Sequence, residues 1–219
     1  MIDSFFFCIF ARNFDPDHSA MKETTEVTLW QQIRAGENKA YEQLFLRYAD
    51  FMLAYGLKFT VDRELVKDAI QNVFTRIISG HEHIGDTDNV KAYLLASLRR
   101  EVTVSIRHQS TLSLDNEEPR FNMVSMVAEV DSIEDGEDKE QLISLLNKAI
   151  NRLTPRQQEA IYLRYIQELP MQEVSTMLDM NYQSTRNLLH RAITRLRDDM
   201  DGQVTNLPDL ILLLILCCR

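Results

Sequence analysis

The stretch LPMQEVSTMLDMNYQSTRNLLHRAITRLR, residues 169–197, decides how the chain is read. It holds two helical segments, 170–178 and 182–199, joined by about three residues, Asp179 to Asn181. That spacing is the spacing of a helix-turn-helix. In the second segment Thr185, Leu189, Ala192, Ile193 and Leu196 recur with helical periodicity and are expected to face a core. Tyr182, Gln183, Ser184, Arg186 and Asn187 are then left to project from the helix N-terminus. From Asn181 to Arg197 there are four arginines and His190, and no acid. In a helix-turn-helix this end enters the major groove, while later basic residues such as Arg191 meet phosphates. Arg matches the guanine edge and Asn or Gln the adenine edge, because their paired hydrogen-bonding groups fit those bases. A solvated polar face on a helical hairpin is the competing reading of the same residues.

Upstream of this pair, helices are predicted near 139–153 and 155–168. Pro155 and Pro170 both suit first-turn positions, where a missing N–H costs nothing. The first half of the chain is also helical in pattern. In DRELVKDAIQNVFTRIIS, residues 62–79, Leu65, Val66, Ala69, Ile70, Val73, Phe74, Ile77 and Ile78 form one apolar stripe with a polar face opposite. Asp62 is placed to cap its start and Gly80 to end it. Tyr41, Leu44, Phe45, Tyr48, Met52, Tyr55 and Phe59 form a second stripe, preceded by a short helix over roughly 25–35. After the loop GHEHIGDTD, 80–88, Asp88 is expected to cap a fourth helix carrying Leu94, Leu95, Leu98, Val102 and Ile106. No strand is required anywhere, so the fold class is all-α.

Composition agrees. The chain has 219 residues with 45% hydrophobic and 26% charged residues, which excludes wholesale disorder. Six glycines and five prolines disfavour turn-rich all-β designs, and there is no GxGxxG or Walker loop to bind a nucleotide. The net charge of −9 is concentrated in one place. Residues 111–140 hold ten acids against Arg120 and Lys139, whereas 21–110 is neutral and 141–200 carries a net +2. Too acidic to bury much apolar area, the segment 111–138 is expected to be a flexible linker. The chain thus divides into an N-terminal extension 1–20, a helical domain 21–110, the linker, a helix-turn-helix domain 139–200 and an apolar tail 201–219. Met21 is the expected translation start.

The cysteines Cys8, Cys217 and Cys218 all lie in the terminal segments, which fits a reduced cytoplasmic protein and no disulfide framework. MIDSFFFCIF at the start is apolar but lacks a basic n-region, so it does not read as a signal peptide. No cofactor is expected. His81 and His83 beside Asp86 and Asp88 lack a fixed scaffold for a metal and read as a solvated polar loop. The acid pairs Glu117–Glu118 and Asp198–Asp199 do not converge on one substrate, and no catalytic residue is assigned.

At this point the residues carry a resemblance. Residues 153–197 resemble region 4 of the extracytoplasmic-function (ECF) sigma factors of bacterial RNA polymerase. VKDAIQNVFTRII, residues 66–78, is similar to their region 2.2, with Asp68, Gln71 and Phe74 at the family spacing. The NYQSTRN wording looks closest to Bacteroidetes-type variants. The resemblance covers about residues 25–200 and implies a non-enzymatic promoter-specificity factor whose partners are core RNA polymerase (β′ clamp and β flap), promoter DNA and an anti-sigma protein. It assigns Asp68, Gln71, Asn72 and Arg76 to polymerase docking; Phe74, which lies on the apolar stripe, is expected in the core. It assigns loop 80–90 and helix 88–108 to the −10 element, with Tyr93, Arg99, Arg100 and Arg107 as the DNA-contacting residues. It assigns Tyr182, Gln183, Ser184, Arg186, Asn187, His190 and Arg191 to the −35 element. Departures are present: Arg100 and Val104 stand where Asn and Asp are frequent, and Tyr93 where Trp is. Asp179 replaces a turn glycine, and Leu188 a basic residue, which is expected to weaken phosphate contact. The competing functions are a sigma-like decoy for an anti-sigma protein and a stand-alone helix-turn-helix regulator.

The tail NLPDLILLLILCCR has nine consecutive apolar residues from Leu210 to Cys218, too few to span a bilayer. Docking on the second domain or in a partner groove is expected instead.

Overall fold

A buried stripe and a side-chain cap at its start explain the helix that organises the first half of the molecule. In the computed structural model, which describes residues 25–112, 120–123 and 137–200, this helix spans Arg63–Ser79. The Asp62 carboxylate accepts the Leu65 N–H at 3.0 Å, and the Gly80 N–H donates to the Arg76 carbonyl at 2.9 Å. Among the described residues three more helices belong to the same unit, so that in chain order they are α1 (Glu26–Arg34), α2 (Asn38–Gly56), α3 (Arg63–Ser79) and α4 (Val90–Leu112). A 3-10 turn, His81–His83, lies between the last two. Trp30, Leu44, Met52, Tyr55, Val66, Phe74, Leu94 and Leu98 are buried together, with the Phe45 and Phe74 rings edge-on at 5.1 Å. Phe74 is core, as its place on the apolar stripe predicts. The α4 cap differs from expectation: the side chain of Asn89, not Asp88, accepts the Ala92 N–H at 2.9 Å.

The second unit contains α5 (Glu137–Asn151), α6 (Pro155–Ile161), a π-helical turn (Tyr162–Ile166), α7 (Met171–Met177) and α8 (Tyr182–Asp199). Among the described residues there is no strand. Thr154 and Gln157 form a reciprocal capping box at α6, with Pro155 at its first position. Buried Gln158 donates to the Ile150 and Leu153 carbonyls, each at 3.2 Å, and so satisfies the end of α5.

The helix expected over 155–168 is interrupted. Gln167 N–H bonds to the Tyr162 carbonyl five residues back, and Glu168 takes φ +57°. Pro170 disfavours helical backbone at Leu169, so the chain must leave the helix here, and the widened turn followed by a left-handed residue does so.

Residues 57–61 group with the second unit, although the α2 stripe runs on to Phe59 in sequence. Phe59 lies edge-on to Phe121 at 5.2 Å, and Phe121 packs at 5.5 Å from Tyr162. Phe121 and Met123 are buried, the Met123 N–H donates to Gln158 Oε1 at 2.9 Å, and buried Lys58 donates to the Met123 carbonyl at 2.9 Å. Within the acidic segment, residues 120–123 therefore form a local anchor that net charge did not reveal. The remainder of that segment's interior, residues 113–119 and 124–136, lies outside the described residues, as do the N-terminal extension and the apolar tail.

Candidate nucleic-acid interface and docking face

The α7–α8 pair has helix-turn-helix geometry. Helix α7 ends at Met177, Asp179 turns the chain with φ +57°, and Asn181 caps α8 by accepting the Ser184 N–H at 2.7 Å. Aspartate visits the left-handed region more readily than most residues, which explains how the turn forms without glycine. The Arg156 guanidinium donates to the Leu178 carbonyl and so ties α6 to the turn. Thr185 is fully buried, and Thr185, Leu188, Leu189, Ala192, Ile193 and Leu196 form the inner face of α8.

The structure corrects the reading of Leu188. It belongs to the packed side of α8, so a cation there would face the core and not a phosphate.

The outer face carries the residues singled out in the sequence. Tyr182, Gln183, Arg186, Asn187, His190 and Arg191 are exposed and Ser184 is half-exposed. Gln183 Nε2 donates to Asn187 Oδ1 at 3.2 Å, which orients the Asn187 amide and leaves its N–H groups uncommitted to that bond. Among the described residues, no ion pair engages Arg186, His190 or Arg191. Further along, Asp199 is paired with Arg152 at 2.7 Å, which fastens the C-terminal end of α8 to the α5 terminus. Asp199 therefore has a structural partner. The arrangement is a capped helix end, seated on a buried inner face, that presents hydrogen-bonding and cationic groups.

In the first unit, Tyr93, Arg100 and Arg107 recur every seven residues on α4 and share one side of it; Arg100 and Arg107 are exposed. Arg99 is half-buried, about 100° round the helix from Arg100, and is not part of that row. Tyr93 is engaged: its ring lies edge-on to buried Trp30 at 5.0 Å.

Residues 80–90 are held by α1. Trp30 Nε1 donates to the Gly85 carbonyl at 3.1 Å, Arg34 pairs with Asp86, and His81 Nδ1 lies 3.2 Å from the Arg34 carbonyl. His81 is thus a joint between α1 and the loop, not simply a solvated side chain; Gly36, at φ +80°, leaves room for its ring. No periodicity signals such a contact, because it depends on how two elements cross.

Asp68, Asn72 and Arg76 form one exposed row on α3, with Gln71 half-buried beside it. Two of the four are tied down. Glu101 of α4 accepts from Asn72 Nδ2 at 3.0 Å and pairs with Arg76 at 2.7 Å. Glu101 is the residue that sequence reasoning missed. It is a single acid on a helix otherwise read for its arginines, and only the α3–α4 register shows what it faces. Beside this row Leu65, Asp68, Asn72, Val104, Ser105, His108 and Gln109 line an open groove.

The class defined by these features is a helical protein with a helix-turn-helix unit. Residues 143–196 match the family profile of sigma-70, region 4. The chain is 24% identical over 168 residues to an RNA polymerase sigma-E factor of Streptomyces avermitilis, covering 77% of this chain and 89% of that protein. A sigma-E factor of Streptomyces antibioticus is 25% identical over 166 residues, covering 76% of this chain and 87% of the relative. The fold of this chain is shared with the sigma factor RpoE from Bartonella quintana, solved with the anti-sigma factor NepR (TM-score 0.55, 18% identity, 76% of this chain and 99% of that one). CnrH, solved with the cytosolic domain of CnrY, also shares it (TM-score 0.53, 15% identity, 80% and 97% coverage). Together these comparisons show a sigma-70 region 4 match in the second unit and a chain similar along most of its length to RNA polymerase sigma-E factors. Among the described residues, no helix is long and apolar enough to cross a membrane.

Proposed function

We propose that this chain binds core RNA polymerase and directs initiation at a subset of promoters. In this reading, α8 reads the −35 element through Tyr182, Gln183, Ser184, Arg186, Asn187, His190 and Arg191. Loop 80–90 and the Tyr93, Arg100 and Arg107 side of α4 engage the −10 element, where opened bases must be captured and the backbone met by cations. Arg99 contributes from the flank. Asp68, Gln71, Asn72 and Arg76 meet the β′ clamp, and the region 4 unit meets the β flap. The factor acts in the cytoplasm and supplies no chemistry, which belongs to the polymerase. An anti-sigma protein is its regulatory partner, and the NYQSTRN wording, which looks closest to Bacteroidetes-type variants, supports a factor of that type.

The observation that carries this reading is the open polar row at the capped N-terminus of α8, in a unit matching sigma-70 region 4. With a net charge of only +2 over 141–200, counterion release makes a weak contribution to affinity. Specific binding therefore requires the polymerase to hold both units near DNA at high effective concentration.

Transcription reconstituted with core polymerase tests the reading: promoter-specific initiation is expected only when the chain is present. Binding to an anti-sigma protein without initiation would identify a decoy. Promoter binding without polymerase would identify a stand-alone regulator.

A further inference from the structure

We propose that Glu101 is a positioning residue for the docking face: it lies on the DNA-facing helix α4 and orders the two docking side chains Asn72 and Arg76. The proposal rests on the assignment of Asp68, Gln71, Asn72 and Arg76 to polymerase docking. One carboxylate spans two residues on consecutive turns of α3, with oxygens at 3.0 Å from Asn72 Nδ2 and 2.7 Å from Arg76 Nη1. Its side chain is 17% exposed, whereas that of Arg76 is 58% exposed. The anchor is therefore sheltered, and the group it holds faces outward.

Two consequences follow from the chemistry. First, a long arginine side chain and an amide are held in one geometry before any partner arrives, which reduces the ordering cost of association. Second, the charge of Arg76 is compensated within the unit, and Asp68 is left as the charge that sets the sign of the row. Guanidinium carries five N–H donors, and the Glu101 contact leaves several for a partner. The surface therefore fits a protein segment that offers a cation opposite Asp68 and hydrogen-bond acceptors opposite Asn72 and Arg76.

The test is competition of the full-length chain for core polymerase, without promoter DNA, so that changed charge on α4 cannot act through nucleic acid. The variants are Glu101→Ala, Glu101→Gln, Arg76→Ala, the Glu101→Ala/Arg76→Ala double variant and Asp68→Arg. Glu101→Ala is expected to weaken core binding about fivefold to tenfold, the order expected for releasing one or two side chains, with a melting midpoint within about 2 °C of the parent. Glu101→Gln keeps one acceptor oxygen and should show a smaller loss. Arg76→Ala should cost less in the Glu101→Ala background than alone, since a disordered guanidinium has less to lose. If Glu101→Ala unfolds the unit, the Glu101→Gln binding measurement alone decides, with a loss supporting the proposal and parental affinity overturning it. Parental affinity in both Glu101 variants, alongside a clear loss in Asp68→Arg, would overturn the proposal and spare the docking face. Strict additivity of the Glu101 and Arg76 losses would also overturn it. Parental affinity in Asp68→Arg would remove the docking assignment itself, and this proposal with it.

Discussion

The outer row of α8 and the outer row of α3 look alike in sequence: each is a polar stripe opposite a buried one. The structure holds them differently. On α8 the ordering is applied to the backbone, through the Asn181 cap and the buried inner face, while Arg186, His190 and Arg191 extend without an ion pair among the described residues. On α3 the ordering is applied to the side chains themselves, because Glu101 grips Asn72 and Arg76. Nucleic acid presents a regular backbone and base edges that long, adaptable side chains can search. A protein surface presents one fixed set of partners, for which side chains set in advance lose less freedom on binding. The contrast suits the two proposed tasks of reading and docking.

The largest effect should come from the buried side of α8. Leu196 is fully buried, so Leu196→Ala should destabilise the second unit by roughly 2–5 kcal/mol in urea denaturation. Arg186→Ala should change that stability by less than about 0.5 kcal/mol. A comparable loss from Arg186→Ala would show that the outer row of α8 is structural, and the contrast with α3 would collapse.

The next effect concerns readout. Arg186→Ala or Asn187→Ala should cost roughly 1–3 kcal/mol at particular −35 base pairs, measured on a panel of promoter variants with core polymerase. Arg191→Ala should instead weaken all promoters alike and reduce the slope of log affinity against log salt by about 1. Equal weakening of every promoter by all three variants would erase the division between base and phosphate contacts.

The smallest effect is expected at the two left-handed residues. Glu168 and Asp179 both adopt φ +57°. Glu168→Gly should raise stability by about 0.5–1 kcal/mol, and Asp179→Gly by less, since aspartate tolerates this conformation better. Urea midpoints of the two variants read the difference. No gain at either site would mean that other contacts at these turns offset the backbone strain.

The bounds and inner face of α8 are legible in the sequence because every signal for them is local. Apolar spacing identified its inner face, and the boundaries 182–199 match the helix observed. Leu188 was misjudged because it lies at the edge of the stripe, where an 18-residue helix packing on three neighbours buries a wider face than a narrow periodic seam suggests. Caps were legible to within one residue, as Asp88 and Asn89 show: both side chains are good cap acceptors, and only backbone geometry chooses between them. The split of 155–168 escaped periodicity altogether, because a π-turn inserts a residue without changing composition.

By itself, the sequence determined an all-α fold class, a helix-turn-helix whose second helix carries no acid from Asn181 to Arg197, and the polar faces of α3 and α8, since all of these follow from residue pattern within one element. The tertiary structure alone decided that Glu101 grips Asn72 and Arg76, that Trp30, Arg34 and His81 hold the 80–90 loop, and that Phe121 and Met123 anchor an otherwise acidic segment. Each of these contacts joins residues far apart in the chain, and its existence depends on the rotation and register of packed elements. Apolar burial fixes that register across dozens of side chains at once, so no short stretch of sequence encodes it.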